Sequence, residues 1–205
     1  ELRKSEEKYR NLFERVRHGL FISSKEGRFV DCNQALLEMA GYNDKEEFLK
    51  IDIAKELYVN PQDRKAFQGM IEGQGFVKDL EVEFKKKNGE KITVLLTAHT
   101  KRDEKGKIIG YEGLNIDISE RKRMEKELKG ANEFLMNLIE SSVDGIIVTD
   151  KKGDILIFNK GAENILGYRA EEVVGKMNIR SIYEPGMAKE VMEKLRGPEY
   201  GGVGK

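Results

Sequence analysis

Cys32 is the only cysteine in the 205-residue chain. A lone thiol can act as a nucleophile or bond a cofactor, but it cannot close an internal disulfide or build a cysteine metal cluster. It ends the apolar stretch "RFVDC" (28–32), where a small hydrophobe packs well. His18 and His99 are the two histidines and could ligate a metal or haem. They stand far apart in sequence, with no Cys or His at ligand spacing. Neither has the acidic, repeating context of a phospho-accepting histidine. The acid pairs Glu6-Glu7, Glu46-Glu47 and Glu171-Glu172 fall at helix starts, where negative charge suits the dipole. "KKK" (85–87) and "ERKRMEK" read as solvated charge on a strand end and a helix. No glycine-rich phosphate loop, nucleophile elbow or His/Cys cluster occurs. The residues therefore point to no catalytic set, no metal and no bound cofactor.

Lys+Arg and Asp+Glu both total 37, so the formal net charge is zero. A general nucleic-acid or anionic-membrane binder would show a basic excess. Hydrophobic residues make up 39 % and charged residues 36 %, enough for a core beneath a heavily charged surface. No apolar run approaches the roughly 18 to 20 residues of a membrane span. The single cysteine makes a reducing compartment the simple expectation, and no signal peptide opens the chain. The first residue is Glu1 rather than Met, which suggests a stretch excised from something longer.

The elements follow from pattern. Residues 1–17 are rich in helix formers, with Leu2, Tyr9, Leu12, Phe13 and Val16 on one side. "GLFIS" (19–23) and "RFVDC" flank the turn "SKEG" and predict a hairpin. Asn33 can cap a short helix with Leu36, Leu37, Met39 and Ala40 on its apolar face, ended by Gly41. Asp44 and Glu47 have capping-box spacing for a second helix through Phe48 and Leu49. Asn60, Pro61 and Asp63 start a third, with Ala66, Phe67, Met70 and Ile71 as its apolar face and Gly73 as its stop. "LEVEFKK" (80–86), "KITVLLTAH" (91–99) and "KIIGYEGLNID" (107–117) read as strands, the first two joined at Asn88-Gly89. The order β-β-α-α-α-β-β-β predicts an α+β unit, an antiparallel sheet with helices gathered on one face.

The pattern then repeats. Shifted by 126 positions, Leu12 meets Leu138, Gly19 meets Gly145, Gly27 meets Gly153, Asn33 meets Asn159, and Gly41-Tyr42 meets Gly167-Tyr168. The matches fall on turn glycines and cap residues, where backbone geometry limits the choice. Farther on, Pro61 pairs with Pro185 and Ile71 with Leu195 after a two-residue shift. Lys205 then corresponds to about residue 80 of the first copy, so the second copy is expected to lack three strands. It should be partly disordered, or completed by another chain. Between the copies, Met124, Leu128, Ala131, Leu135 and Leu138 step by 4, 3, 4, 3, the spacing of a coiled-coil seam. Such a helix either packs on its own sheet or pairs with a second copy in a homodimer.

"SEEKYRNLFE", "GLFISSKEGRFVDCNQALLEMAGY", "YVNPQDRKAF" and "GYEGLNIDISERKRMEKEL" resemble a PAS domain with its C-terminal segment. "DGIIVTDKKGDILIFNKGAENILGYRAEEVVGK" resembles the first half of another. The resemblance implies a five-stranded antiparallel sheet with a helical cleft. It implies a cytoplasmic sensor or relay segment, most often of a sensor histidine kinase, less often of a diguanylate cyclase or transcription regulator. Asp117, Ile118, Ser119 and Arg121 match the motif where the last strand passes into a signalling helix, with Ser119 in the usual Thr place. Flavin-bonding members carry their cysteine after an Asn on a helix, whereas Cys32 precedes its Asn on a strand. Haem-binding members place a histidine on the third helix, which has none here.

The organisation expected is an N-terminal helix (1–17), a PAS unit (18–118), a helical linker (119–140) and a partial second unit (141–205). The cleft would be lined by Ile22, Leu36, Met39, Phe48, Leu57, Phe67, Met70, Val94, Leu96 and Leu114. These side chains either hold a small ligand or simply fill the core. Three functions stay open: a ligand-driven sensor or relay, a dimerising spacer, and a haem- or flavin-bearing redox or light sensor. Output domains of the parent protein would be the partners, with no nucleic acid and no membrane insertion.

Overall fold

The computed structural model describes residues 2–183 and residue 187, in two compact units, Glu1–Lys126 and Glu127–Lys205. The first opens with helix α1 (Leu2–Arg15) and the hairpin β1 (Gly19–Ser24) and β2 (Phe29–Cys32). Helices α2 (Gln34–Met39) and α3 (Lys45–Leu49), a wide π turn (Ile53–Leu57) and helix α4 (Pro61–Gln74) follow. Strands β3 (Phe76–Lys85), β4 (Lys91–Arg102) and β5 (Ile108–Asp117) complete a five-stranded antiparallel sheet of order β2-β1-β5-β4-β3. The last strand thus closes against the first, and a sheet edge is left only at β2 and β3.

Strand alternation assigns the two faces. Ile92, Val94, Leu96 and Ala98 of β4 point inward and are nearly wholly buried, and Phe21, Val82, Phe84 and Tyr111 share that face. Bulges correct the parity where sequence alone would break it. Val77 and Leu80 would face opposite sides of a regular strand. An extra residue between them puts both inward, opposite Ala98 and Leu96, with Asp79 in the left-handed region at φ 52°. The bulge between Ile22 and Ser23 does the same for Phe29 and Cys32. Gly113 is required by close approach: a Cβ there would lie 2.2 Å from the Thr97 carbonyl oxygen.

Caps set the helices. Asn33, Asp44, Asp52 and Asn60 each accept backbone N–H bonds at a helix or turn start. Asp44 performs half of a capping box, since Glu47 turns away to Lys87 at 2.6 Å. Helix α4 runs through Gly73, the expected stop, and ends at the left-handed Gly75, φ 83°. Its buried residues are Arg64, Phe67 and Ile71, whereas Ala66 and Met70 are exposed.

Asn33 does more than cap. Its fully buried side-chain carbonyl accepts from the amides of Leu20 (2.8 Å) and Leu36 (3.1 Å). Its amide nitrogen donates to the carbonyls of Phe13 (3.1 Å), Val16 (3.2 Å) and His18 (2.9 Å). One side chain thereby fastens the end of α1, the start of β1 and the first turn of α2. Glu14 adds a bond from the Gln34 amide, 2.9 Å.

The second unit repeats this plan. Helix α5 (Ser119–Ser141) leads to strands β6 (Ile147–Thr149) and β7 (Ile155–Phe158), helix α6 (Lys160–Leu166) and helix α7 (Ala170–Val173). The hairpin has its bulge at the corresponding place, between Val148 and Thr149. Asn159 accepts from Ile146 (2.7 Å) and Ala162 (2.9 Å) and donates to Ile139 (2.7 Å), Ser142 (3.5 Å) and Asp144 (2.9 Å). Glu140 takes the Lys160 amide at 3.1 Å. Each bond lies 126 residues beyond its counterpart. The local cover differs: Tyr42, under the ammonium of Lys87, is 8 % exposed, and its equivalent Tyr168 is 39 % exposed. The pairings of Pro185 and Leu195, and the expected incompleteness beyond them, lie outside the described residues.

Changing Asn33 to Asp should therefore cost at least as much as changing it to Ala, despite the matched shape. The new oxygen would face three carbonyls, each left without its donor. Chemical denaturation should show about 2–4 kcal/mol lost in both variants, from several unmade buried bonds. An Asn33→Asp variant as stable as wild type would disprove the assignment of the amide.

Candidate functional site

The inner face of the sheet and helices α2 to α4 enclose the hydrophobic core of the first unit, where the expected cleft would lie. Leu36, Phe48, Leu57, Phe67, Val94 and Leu96 are at most 2 % exposed within it, and Met39 packs against them. Three expected lining residues stand elsewhere. Ile22 and Leu114 pair with Glu112 and Leu20 on the outer face, because β1 and β5 place them on the wrong phase of the alternation. Met70 is 37 % exposed on the outward side of α4. Its place inside is taken by Arg64, whose guanidinium lies 5.0 Å from the Phe67 ring centre and 5.3 Å from that of Tyr111. The Tyr111 hydroxyl donates to Glu72 at 2.5 Å, tying the sheet to α4. Burial, then this bond, raises the Tyr111 phenol above its usual range, while the same bond is the main cause holding the Glu72 carboxyl below its own.

Cys32 ends β2 with its side chain fully buried, and burial pushes its thiol up to about 11. His99 faces outward and stacks on Phe76, ring centres 6.0 Å apart. His18 is exposed, and only its backbone carbonyl enters the Asn33 network.

The junction from β5 to α5 is built from the expected motif. Ile118 is buried, and its amide donates to the Thr93 carbonyl at 2.9 Å. The Thr93 amide donates to the Ser119 hydroxyl at 2.8 Å. Asp117 accepts the Ser119 amide, 2.8 Å. Both backbone groups of Thr93 thus hold the first turn of α5 onto β4. Lys122 adds an ion pair to Glu81 of β3, 2.8 Å. Arg121 stays on its own helix, paired with Glu125 at 2.9 Å. From there α5 carries no buried residue. Met124, Leu128, Leu135 and Leu138 are 51–74 % exposed, and Ala131 is exposed too.

Two outcomes follow. Replacing Ser119 by Ala removes the acceptor for the Thr93 amide and should cost about 1–2 kcal/mol in denaturant unfolding. Ser119→Thr keeps the hydroxyl and should be near neutral; equal losses would remove the hydroxyl from the junction. Cys32 should resist alkylation by iodoacetamide at pH 8 in the folded protein and react only on unfolding, because the thiolate is the nucleophile. Its neutral thiol supports folding fully below the free-thiol pKa, and that support fades as pH rises toward about 11. Rapid labelling of native protein would contradict the burial.

A PAS domain profile matches residues 17–120, and a PAS fold profile matches 133–198. "Sporulation kinase E" of Bacillus subtilis is 29 % identical over 188 residues, covering 90 % of this chain and 24 % of that protein. "Sensor protein FixL" of Bradyrhizobium diazoefficiens is 28 % identical over 123 residues, 58 % of this chain and 24 % of its own length. The chain thus spans about a quarter of these relatives. Among solved structures, a PAS domain from Colwellia psychrerythraea aligns with TM-score 0.50 at 22 % identity, over 58 % of this chain and 99 % of that one. That likeness is one of fold. With both profiles matching and the five-stranded antiparallel sheet shared with a solved PAS domain, the chain belongs to the PAS domain family.

Proposed function

We propose that this chain is the sensory and relay segment of a cytoplasmic sensor histidine kinase, working as a homodimer. The first unit receives a small-molecule cue or a partner contact, and α5 passes the result on by pairing in parallel with α5 of a second copy. The observation that carries the reading is the exposed 4-3 seam of α5, which begins at the hydrogen-bonded Thr93–Ser119 junction. An apolar stripe this exposed has a use only when covered. Its two heptads are short, and Gly130 costs the helix about 1 kcal/mol relative to alanine. A weak, adjustable pairing suits a relay, since coupling needs two arrangements of comparable free energy. The kinase relatives support the output, and the PAS units supply binding and transmission rather than catalysis. Among the described residues no helix is long and apolar enough to cross a membrane.

Leu128→Arg together with Leu135→Arg tests the seam, because neither side chain supports the fold of its own chain. Sedimentation equilibrium should show self-association weakened at least about tenfold, which corresponds to 1.4 kcal/mol. The melting temperature of the first unit should hold. A wild-type chain that stays monomeric at high concentration, or variants that associate as well as wild type, would refute the pairing.

A further inference from the structure

Arg64 is 3 % exposed on α4, facing the core. Its Nε and Nη2 atoms have no hydrogen-bond partner. A guanidinium cannot shed its proton to escape burial. A charge in this position is costly unless it is paired. The rings of Phe67 and Tyr111 offset part of that cost through their π faces. No ion pair to Arg64 occurs among the described residues. Asp63, its neighbour in sequence, is turned to the surface. It accepts from the Asn60 side chain at 3.1 Å and lines a shallow groove with Glu81, Glu83 and Lys122.

The two unpartnered nitrogens are not an arbitrary pair. Nε–H and one Nη–H lie parallel along one edge of the guanidinium, and that edge grips a carboxylate with two bonds. Nη2 is the nitrogen on the Nε–H side. A second buried polar atom without a well-formed hydrogen bond is the Tyr58 hydroxyl, on a side chain 1 % exposed, which the Arg64 guanidinium approaches closely enough to share a side-chain hydrogen bond with it. Tyr58 follows the π turn Ile53–Leu57, a rare geometry that recurs at functional sites.

We propose that Arg64 and Tyr58 form a binding site for a small carboxylate anion within the first unit, gripped side-on by Nε and Nη2 and receiving a third hydrogen bond from the Tyr58 hydroxyl. A ligand there has to be small, because Phe67 and Tyr111, the rings that flank the guanidinium, are fully buried. This names the cue class for the sensory reading above and rests on that reading only for what binding does to α5.

The full 205-residue chain is titrated with acetate, pyruvate and succinate at matched ionic strength against sodium chloride, and its melting temperature is followed. At least one carboxylate should raise it by about 5 °C or more near saturation. Arg64→Met should abolish that rise while leaving the ligand-free melting temperature unchanged or higher, because it removes an unpaired buried charge. Arg64→Lys should weaken the response, since an ammonium cannot offer the paired edge. The site is overturned if no carboxylate stabilises wild type, or if Arg64→Met keeps the response. Hydrogen exchange across residues 119–141 separates the two readings. Protection that changes with carboxylate supports both. A carboxylate response with unchanged exchange keeps the ligand and removes the relay. No carboxylate response removes the ligand and leaves the relay open to another cue.

Discussion

A single buried primary amide, used twice, organises this molecule. Asn33 and Asn159 each place a carbonyl oxygen between two backbone amides and an NH₂ group among three backbone carbonyls. Only a side chain that is donor at one end and acceptor at the other can do this. An unmade bond at a buried backbone group is expensive, so the arrangement is close to all-or-none. The helix before each hairpin must end where the asparagine can reach its last carbonyls. The strand and the next helix must start where it can reach their amides. Helix end, hairpin and α2 or α6 therefore form one object rather than three.

The other end of the sheet is fixed differently. There the backbone of Thr93 holds Ile118 and the Ser119 hydroxyl, so strand pairing continues without a gap into the first turn of α5. Movement of β4 or β5 cannot leave that turn behind unless those bonds break. The core that would drive such movement is filled by aromatic rings in contact. Phe29 stacks on Phe48, and Tyr58 meets Phe84 edge-on, with ring centres 4.7 and 5.0 Å apart. A tightly packed interior changes shape in discrete steps, which is what a relay needs.

Much of this was legible in the sequence. Asn33 could be seen as a cap, the glycine turns and the repeat were visible, and the strand count followed from the Asn-Gly and Gly turns. The remaining bonds of Asn33 were not visible, because they join residues 13 to 20 positions away and no local pattern records them. Ile22 and Leu114 were misplaced for a related reason. "GLFIS" is apolar almost throughout, so alternation cannot say which side faces in, and the phase is set by pairing across the sheet. Gly73 looks like the stop of α4, but Gly75 is the residue that turns left-handed, and its amide donates to the Ile71 carbonyl. Arg64 was missed because periodicity counts apolar letters. Met70 counts toward the apolar face and an arginine does not, yet the fold exposes the first and buries the second.

Glu14 and Glu140 lead further. Each sits in the closing turns of one helix, where a negative charge opposes the dipole. Each spends that charge on the opening amide of a helix 20 residues on, where it is welcome. Each of the two units thus brings the fastening for the helix that precedes it, and the first unit also starts the helix that the second fastens. Units built this way join like links whose clasp is part of the link. Evolution could lengthen such a string by copying one link whole, with no new contact to invent at the join, as in other repeat architectures.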